Sequence, residues 1–410
     1  MLAYADLKAP RSRRTKLSAY AEQHSSSGPG DCFLLRITLI FELLNVLVEG
    51  LGMHKKLLIP GPTEVSQEIL NEQAHLLIGH RSAEFSELYG GITAKIAKYF
   101  ELTADVKPTV TTSSGTLWFD IVGRSIVKKK ALACVNGAFA QRAAETLRAC
   151  GKETDFLEVE WGKAIKPEAV EEKLDSGQYD TLTVCHNESS TGVRNPIAEI
   201  GNLVRKKYPN VIYAIDAVSS MAGDKTLPSQ IGCDIIFAST QKCFALPPGL
   251  TVALVNDRAL ERAKEIQNRG TYTDLLEIFE FEKKHQTPFT PCIPLLYALN
   301  KRMDLLLEET YDKVYMRHLE MAMHTRQWAK KHFEMFPEPG YESITVSCIK
   351  NTLNKNFKEL NQKLGEKGYV ISNGYGKLAD KTFRIGHMGE WNLQGIKEVT
   401  SLIDSIWGLK

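Results

Sequence analysis

Lys242 is the residue whose type and surroundings most directly suggest covalent chemistry. It follows an apolar run at residues 235–238, which is typical of a buried strand, and a polar break at residues 239–241. Pro247-Pro248-Gly249 comes soon after it and predicts a turn, because proline cannot continue a helix. Burial lowers the pKa of a lysine by disfavouring its charged form, and the free amine can then attack a carbonyl carbon. Lys242 is therefore a candidate Schiff-base residue, although a solvated loop lysine fits the same local pattern.

Three further groups of side chains would complement such an amine. Asp216 ends an apolar segment, and a buried carboxylate there needs a cationic or N–H partner. Phe139 follows another apolar segment and offers a flat face for stacking on an aromatic ring. Ser114, Gly115 and Thr116 precede a predicted helix, whose N-terminal N–H groups and hydroxyls can bind an anion. Each group also has an ordinary structural interpretation, such as helix capping or core packing.

The elements that would position these groups are strands separated by helices. Apolar segments predict strands at residues 109–112, 131–135, 181–185, 211–215, 234–238 and 251–255. This pattern is typical of an α/β fold in which a mostly parallel sheet is buried between helices. The polar groups follow the strands, and ligands bind outside the carboxyl ends of the strands in such sheets. We therefore expect these side chains to converge on one site.

The converging groups match the parts of pyridoxal 5'-phosphate. A lysine amine can bind its aldehyde, and a buried carboxylate can keep its ring nitrogen protonated, which makes the ring an electron sink. An aromatic side chain can stack on the ring, and a helix N-terminus can hold the phosphate. The sequence thus predicts this cofactor, and the eight cysteines, which contain no C-x-x-C pair, suggest no metal site.

From about Lys56 to its C-terminus the chain resembles the class V aminotransferases of fold type I, most closely the alanine–glyoxylate and serine–pyruvate aminotransferases. The 26-residue spacing between Asp216 and Lys242 agrees with this resemblance. The other motifs that carry it are Pro60-Gly61-Pro62, Ile78-Gly79-His80, Ser113-Ser114-Gly115, Asn136-Gly137-x-x-x-Gln141-Arg142, Glu188-Ser189-Ser190-Thr191-Gly192, Asp216-x-Val218-Ser219-Ser220 and Ser239-Thr240-Gln241-Lys242.

The resemblance implies two catalytic residues, Lys242 as covalent anchor and proton carrier and Asp216 as partner of the pyridine nitrogen. Phe139 stands where relatives often carry tryptophan, so the stacking role would be kept with a smaller ring. Ser189 would lie near the phenolic oxygen of the cofactor. In full, the residues that the resemblance assigns to the cofactor are Ser114, Gly115, Thr116, Phe139, Ser189, Asp216, Gln241, Lys242, Thr287 and Thr290.

Thr287 and Thr290 match a segment that in the family reaches the phosphate of the partner subunit, which implies a homodimer. Thr287 stands where a relative has tyrosine. Arg384 matches the arginine that binds the substrate carboxylate, a task suited to its planar, bidentate guanidinium group. His80 and Arg81 resemble a pair that phosphoserine aminotransferases use for the substrate phosphate.

The resemblance implies transfer of an amino group from alanine or serine to glyoxylate or pyruvate by a ping-pong mechanism. The principal alternative is a phosphoserine aminotransferase that works with 2-oxoglutarate. A cysteine desulfurase fits less well, because Gln241 precedes Lys242 where desulfurases usually have histidine, and because Cys348 lies in a strand-like segment. A non-catalytic protein of this fold is the remaining alternative.

The expected organisation is an extension at residues 1–52, an N-terminal arm at 53–75, a large cofactor-binding domain at 76–309 and a smaller C-terminal α+β domain at 310–410. The extension is the least typical part, and its apolar run at residues 32–48 contains Arg36 and Glu42, which makes it a poor membrane span. We expect this extension to be unnecessary for the fold, and its composition is compatible with disorder.

The composition excludes several classes of partner. Lys and Arg number 51 and Asp and Glu 49, which is too balanced to indicate a nucleic-acid partner. No membrane association is expected. The scattered cysteines favour a reducing compartment, and the C-terminal Gly408-Leu409-Lys410 is not a peroxisomal address, so we expect a cytoplasmic protein.

Overall fold

The structure is a computed structural model that describes residues 54–409. The predictions about the extension at residues 1–52 therefore lie outside the described residues. Within residues 54–409, no helix is both long enough and apolar enough to cross a membrane.

Strands and helices alternate through most of the described chain. The strands are β1 (Lys56–Leu58), β2 (Val106–Thr112), β3 (Lys130–Val135), β4 (Glu153–Glu158), β5 (Thr181–Cys185), β6 (Asn187–Glu188), β7 (Val193–Arg194), β8 (Ile212–Asp216), β9 (Ile235–Ser239), β10 (Leu250–Asn256), β11 (Glu334–Met335), β12 (Val346–Lys350), β13 (Tyr369–Asn373) and β14 (Thr382–Gly386). The α-helices are α1 (Gln67–Asn71), α2 (Ala83–Tyr99), α3 (Thr116–Ser125), α4 (Ala138–Ala149), α5 (Pro167–Leu174), α6 (Ile197–Lys207), α7 (Pro228–Ile231), α8 (Asp257–Lys264), α9 (Leu275–Glu282), α10 (Ile293–Glu309), α11 (Tyr311–His332), α12 (Phe357–Glu366) and α13 (Leu393–Trp407).

A seven-stranded sheet carries most of the predicted site residues. Its strand order is β2-β10-β9-β8-β5-β3-β4. Neighbouring strands are parallel except at β10, which is antiparallel to both β2 and β9. Because β10 runs the other way, its first residues lie beside the carboxyl ends of β2 and β9, where Leu250 pairs with Thr112 and Thr251 with Ser239.

The sheet is buried on both faces, as its apolar strands predict. Successive side chains of a strand point to opposite faces. Accordingly, Tyr213 and Ile215 of β8 pack in one hydrophobic core, and Ile212 and Ala214 pack in another. The expected α/β architecture, a mostly parallel sheet between helices, is confirmed.

The C-terminal strands form a second, five-stranded sheet in the order β1-β13-β14-β12-β11. It has its own core, in which Ile371 and Phe383 pack with helix residues such as Trp328 and Leu360. This sheet begins with β1, which pairs with β13 in parallel. The N-terminal arm expected at residues 53–75 thus shares a sheet with the C-terminal strands, although the division into domains itself stays a prediction.

Local differences from the sequence predictions have physical reasons. Strand β4 was not predicted because it is the edge strand of its sheet and lacks a continuous apolar run; of its six residues, only Thr154 and Leu157 are buried. The helix predicted at residues 66–76 is α-helical only in α1 and continues as a 3-10 helix at Glu72–Ala74. Leu76 is 89% exposed, so no core contact extends the helix to that residue.

Candidate active site

A cavity of about 280 Å³ opens at the carboxyl edge of the seven-stranded sheet. This volume lies near the lower end of the roughly 300–1,000 Å³ that is common for ligand pockets, which suits a small ligand. The lining side chains come from the segments after β2, β3, β5, β8 and β9. They are Ser114, Gly115, Thr116, Phe119, Phe139, Arg142, Cys185, Asn187, Ser189, Asp216, Val218, Ser219, Ser239, Gln241 and Lys242.

Lys242 lies three residues beyond the end of β9, and its amine is surrounded by protein on most sides. The Nζ donates a hydrogen bond to the carbonyl oxygen of Pro60. Burial lowers the pKa of Lys242 to about 8, and the negative charge of Asp216 opposes that shift. The amine is therefore available in its neutral, nucleophilic form at a lower pH than an exposed lysine would be.

Gly61 allows the chain to pass this close to Lys242. Its φ of +117° is a conformation that L side chains rarely adopt. A Cβ at this position would lie 2.4 Å from both Cδ and Nζ of Lys242. The turn at residues 60–62 thus closes one side of the cavity directly against the lysine.

Asp216 is the last residue of β8 and lies on the floor of the cavity. Its side chain is 8% exposed, and Oδ1 accepts a hydrogen bond of 2.8 Å from the backbone N–H of Val218. Burial raises the pKa of Asp216 to about 6, while the Val218 hydrogen bond acts in the opposite direction. A cationic partner inside the cavity would remove this electrostatic cost.

The segment after β2 forms a cradle at the N-terminus of α3. The backbone N–H of Gly115 donates to Ser239 Oγ at 2.6 Å. A Cβ on Gly115 would come within 2.7 Å of Val218 and 2.9 Å of Ser239, so only glycine leaves this space open. Ser114 and Thr116 on either side are exposed. Free hydroxyls beside a helix N-terminus provide a site for a phosphate.

Phe139 forms one wall of the cavity and is half-buried. The ring of Tyr375 lies 5.1 Å from it, centroid to centroid, at an interplanar angle of 38°. The guanidinium of Arg142 lies over the ring of Phe139, 5.4 Å from its centroid. The sequence predicted a stacking role for Phe139 but gave no role to Arg142 or Tyr375.

Ser189 and Arg384 connect the cavity to the five-stranded sheet. Ser189 Oγ donates to Ser219 Oγ at 2.6 Å. Arg384 is not among the lining residues, but its Nη1 donates to the carbonyl oxygen of Ser189 at 3.0 Å. Its guanidinium also lies 5.4 Å from the centroid of the Tyr375 ring. Arg384 thus lies at the rim of the cavity, behind Ser189.

Two buried amide oxygens around the cavity have no hydrogen-bond partner within the described residues, Oδ1 of Asn187 and Oε1 of Gln241. The Asn187 amide is held by its Nδ2, which donates to Thr345 Oγ1 at 3.0 Å. Unsatisfied buried acceptors are costly, so a ligand that donates hydrogen bonds here would lower the free energy of the site. The sequence signal for Gln241 was its place before Lys242, whereas nothing singled out Asn187.

Four predicted site residues lie elsewhere, around the loop at residues 286–291. Arg81 donates to the carbonyl oxygens of Thr287 at 2.7 Å and Pro288 at 2.8 Å. His80 Nε2 lies 3.5 Å from Thr290 Oγ1. None of these four side chains lines the cavity of its own chain. The structure therefore brings them together, but apart from Lys242 and Asp216.

The residues that line the cavity fit pyridoxal phosphate. The open cradle at Gly115 can take the phosphate. The buried Asp216 forms no ion pair within residues 54–409, and a protonated ring nitrogen would supply one. Lys242 has a lowered pKa and shares the cavity with Asp216, so one small ring can contact both. Phe139 offers the stacking face.

Comparisons with known proteins agree with this geometry. A sequence model of the family "Aminotransferase class-V" matches residues 63–374. An uncharacterized aminotransferase from Methanocaldococcus jannaschii is 40% identical over 361 residues, which cover 86% of this chain and 91% of that protein. A serine–glyoxylate aminotransferase from Methylorubrum extorquens is 27% identical over 353 residues, with 82% and 87% covered.

Among solved structures, a phosphoserine aminotransferase from Cytophaga hutchinsonii superimposes with a TM-score of 0.78 at 26% identity, covering 86% of this chain and 98% of that one. Family match, relatives and fold therefore point the same way. The chain belongs to the class V aminotransferases and is a pyridoxal-phosphate-dependent transaminase.

Proposed function

We propose that the enzyme transfers the amino group of a small L-amino acid, alanine or serine, to a small 2-oxo acid, glyoxylate or pyruvate. The observation that carries the proposal is the pairing of Lys242 and Asp216 in one small cavity, with Arg384 at its rim. A cavity of about 280 Å³ leaves little room beside a cofactor, which favours short side chains. The relative from Methylorubrum extorquens, named for serine and glyoxylate, supports this choice.

When bound, pyridoxal phosphate supplies the carbonyl that takes the amino group and the electron-poor ring that acidifies the α-proton of the substrate. Lys242 holds the cofactor and moves the proton, because its lowered pKa makes the amine a competent base near neutral pH. Asp216 would accept a hydrogen bond from the protonated ring nitrogen and hold the proton there. Arg384 binds the α-carboxylate with its planar fork. The two substrates use the same residues in turn, so we expect ping-pong kinetics.

Residues 287–290 support the proposal of a homodimer. Thr287 and Thr290 lie outside the cavity of their own chain, and Arg81 fixes the carbonyl groups of this loop. A second copy would bring the two threonines to its neighbour's phosphate cradle. We also propose the domain division at residue 309/310 and a cytoplasmic location; the seven described cysteines are all unpaired.

The phosphoserine alternative assigned the substrate phosphate to His80 and Arg81. Both terminal nitrogens of Arg81 already donate to backbone carbonyls, and its guanidinium lies 4.9 Å from the centroid of the Phe281 ring. Because both terminal nitrogens are engaged, Arg81 has less capacity for a phosphate than Arg384 has for a carboxylate, since only Nε and Nη1 of Arg384 donate to backbone carbonyls. The contacts within the chain therefore favour the small neutral donor over phosphoserine bound by this pair.

The covalent role of Lys242 is tested by the visible absorption spectrum of the purified enzyme. Lys242→Ala is expected to lose the absorption band of covalently bound cofactor and to lower kcat by at least about 10³-fold, because both the anchor and the proton carrier are removed. Lys350→Ala is the matched control, since Lys350 forms an exposed ion pair with Glu334 and does not line the cavity. An unchanged band in Lys242→Ala would assign the anchor to another lysine.

Substrate choice is tested by single half-reactions, followed through the cofactor spectrum. L-alanine, L-serine and O-phospho-L-serine are offered separately to the same enzyme preparation. The proposal expects the two neutral donors to react fastest. A strong preference for the phosphorylated donor that is abolished by Arg81→Ala would replace it with the phosphoserine alternative.

A further inference from the structure

Two arginine side chains contact one tyrosine beside the cavity. The guanidinium of Arg384 lies over the Tyr375 ring, 5.4 Å from its centroid. Arg142 donates an Nη2–H hydrogen bond of 3.2 Å to the Tyr375 hydroxyl. Arg142 also lines the cavity, whereas Arg384 lies behind Ser189. The site thus presents two guanidinium groups to a substrate, of which the proposed reaction uses one.

Neither guanidinium forms an ion pair within residues 54–409. Arg384 donates to the carbonyl oxygens of Asn373 and Ser189, both at 3.0 Å. The hydrogen bond of Arg142 goes to a neutral hydroxyl. Burial lowers the pKa of Arg384, and the negative charge of Glu188 opposes that shift. Arg142, with its single side-chain hydrogen bond to a hydroxyl, keeps N–H donors for a negatively charged group of a ligand.

The nearby carboxylate of Glu188 forms no ion pair with Arg142 within the described residues. It is fully buried, and its Oε2 accepts hydrogen bonds from the backbone N–H groups of Phe139 and Ala140. Its Oε1 accepts from the N–H and the hydroxyl of Ser190. The hydrogen bonds of Glu188 thus go to the N-terminus of α4 and to the loop after β6. The guanidinium of Arg142 keeps donors that face solvent and the cavity.

Arg148, on the same helix, shows what a purely structural arginine looks like in this protein. Its guanidinium lies 3.7 Å from the centroid of the Phe156 ring, and both Nε and Nη2 donate to the carbonyl oxygen of Thr154. Arg142 has a comparable aromatic contact with Phe139 but a single side-chain hydrogen bond. The two arginines share a helix and a type of packing, and they differ in the donors left free.

We propose that Arg142 binds a second acidic group of the substrate. The site would then take amino acids and 2-oxo acids that carry a carboxylate or phosphate at the end of a short side chain, in addition to alanine or serine. The inference rests on the proposed transamination, in which Arg384 holds the α-carboxylate. The planar fork of an arginine pairs bidentately with carboxylate and phosphate alike.

Tyr375 sets the position of Arg142 for substrates with neutral side chains and for substrates with acidic ones. A neutral substrate leaves the hydrogen bond between Arg142 and the Tyr375 hydroxyl in place. An acidic side chain draws the guanidinium toward the cavity, where a charge-assisted pair replaces a neutral hydrogen bond. The two partners of one ping-pong cycle can therefore differ in the end of their side chains while they share Arg384 and Lys242.

The test measures equilibrium binding of unreactive acids to the cofactor-loaded enzyme by titration calorimetry. Glutarate is compared with pentanoate and succinate with butyrate, because each pair differs by one carboxylate at constant chain length. A third probe, 3-phosphonopropionate, distinguishes a distal phosphate from a distal carboxylate. The variants are Arg142→Gln, Arg142→Lys and, as matched control on the same helix, Arg148→Gln.

The wild type is expected to bind the better diacid at least about tenfold more tightly than its monoacid partner, since the second carboxylate would form a charge-assisted hydrogen bond with Arg142. Arg142→Gln should remove most of that ratio, Arg142→Lys should restore part of it, and Arg148→Gln should keep it. A ratio near one in the wild type, or an unchanged ratio in Arg142→Gln, would overturn the inference. So would an equal loss in Arg148→Gln.

Failure of the proposed function is recognised separately. If no amino acid converts the cofactor in a half-reaction, transamination of small amino acids is wrong, yet the binding ratios can still be measured. If L-alanine reacts and the diacid ratio is near one, the reaction stands and Arg142 has no part in substrate choice. The two results therefore address different statements about the same site.

Discussion

The floor and the rim of the cavity are built in different ways. We use floor for Ser189, Asp216 and Lys242, which follow the ends of β5, β8 and β9, and rim for Arg142, Tyr375 and Arg384. The floor is held by strand register: Asp216 pairs with Cys185 on one side and Phe237 on the other. The rim is held by side-chain contacts, a hydrogen bond of 3.2 Å and ring contacts of 5.1–5.4 Å.

We infer from this difference that the floor carries out the reaction and that the rim selects the substrate. A sheet buried on both faces cannot shift its register without exposing its core, so the floor groups stay in place whatever is bound. The rim residues come from a helix, a loop and a strand of the other sheet, and their side chains are held by individual contacts rather than by the register of the seven-stranded sheet. We expect changes in the floor to lower turnover with every substrate, and changes in the rim to alter preference among substrates.

The largest effect is expected for Asp216→Asn, which removes the floor carboxylate while keeping its shape. Loss of the charge that holds the ring nitrogen protonated should lower kcat about 10²–10³-fold with all donors. Asp234→Asn is the matched control, because Asp234 is also buried but precedes β9 at the opposite edge of the sheet, where it accepts from Tyr213 N–H at 2.8 Å. A donor-dependent loss of kcat in Asp216→Asn would contradict the separation of floor and rim.

The same substitution should stabilise the cofactor-free protein. Burial raises the pKa of Asp216 to about 6, above its ordinary value of 3.8, so the folded protein holds this proton more tightly than the unfolded chain does. That contribution is fully present below about pH 4 and is lost as the pH rises through 6. At pH 7 the ionised group costs up to about 3 kcal/mol, and Asp216→Asn should raise Tm there but not at pH 4. Thermal unfolding at the two pH values checks this.

The sequence predicts the floor of the site better than its rim. Short apolar segments predicted β5, β8 and β9, and the residues after them became the floor, because parallel strands end at one edge of a sheet. Arg142 was part of a recognised motif without a role, and Tyr375 was not singled out. Their proximity depends on how a loop near β14 meets α4, a contact between distant segments that no local pattern encodes.

The interpretation of Thr287, Thr290, His80 and Arg81 shows a further limit. The resemblance assigned these residues to phosphate groups, and the structure places all four around one loop outside the cavity of the chain. In the proposed homodimer their contribution to a site would require a second subunit, whose position one sequence does not specify. Their assignment stays a prediction.

A smaller effect on turnover is expected for Gly61→Ala, in the turn that lies against the floor residue Lys242. The substitution places a Cβ against Lys242 and forces alanine into a φ of +117°, so the lysine must shift. We expect kcat to fall roughly ten- to hundredfold, since small displacements of reacting groups are costly. Gly340→Ala is the control, because Gly340 also has a positive φ of +89° but its Cβ would meet nothing within 4 Å. Equal losses in both variants would assign the effect to backbone strain alone.

The smallest and most selective effect is expected for Tyr375→Phe, which removes one contact of the rim and keeps the others. The ring remains for Arg384 and Phe139, and the hydroxyl that positions Arg142 is lost. Because holding a long side chain in place is worth about 0.5–1.5 kcal/mol, the preference for a diacid over its matched monoacid should fall about two- to tenfold. Tyr375→Ala removes the ring as well and should raise KM for every substrate, since Arg384 loses its aromatic support. If Tyr375→Phe instead raises KM equally for alanine and for an acidic donor, Arg142 and Arg384 act as one unit, and the rim does not distinguish between substrates.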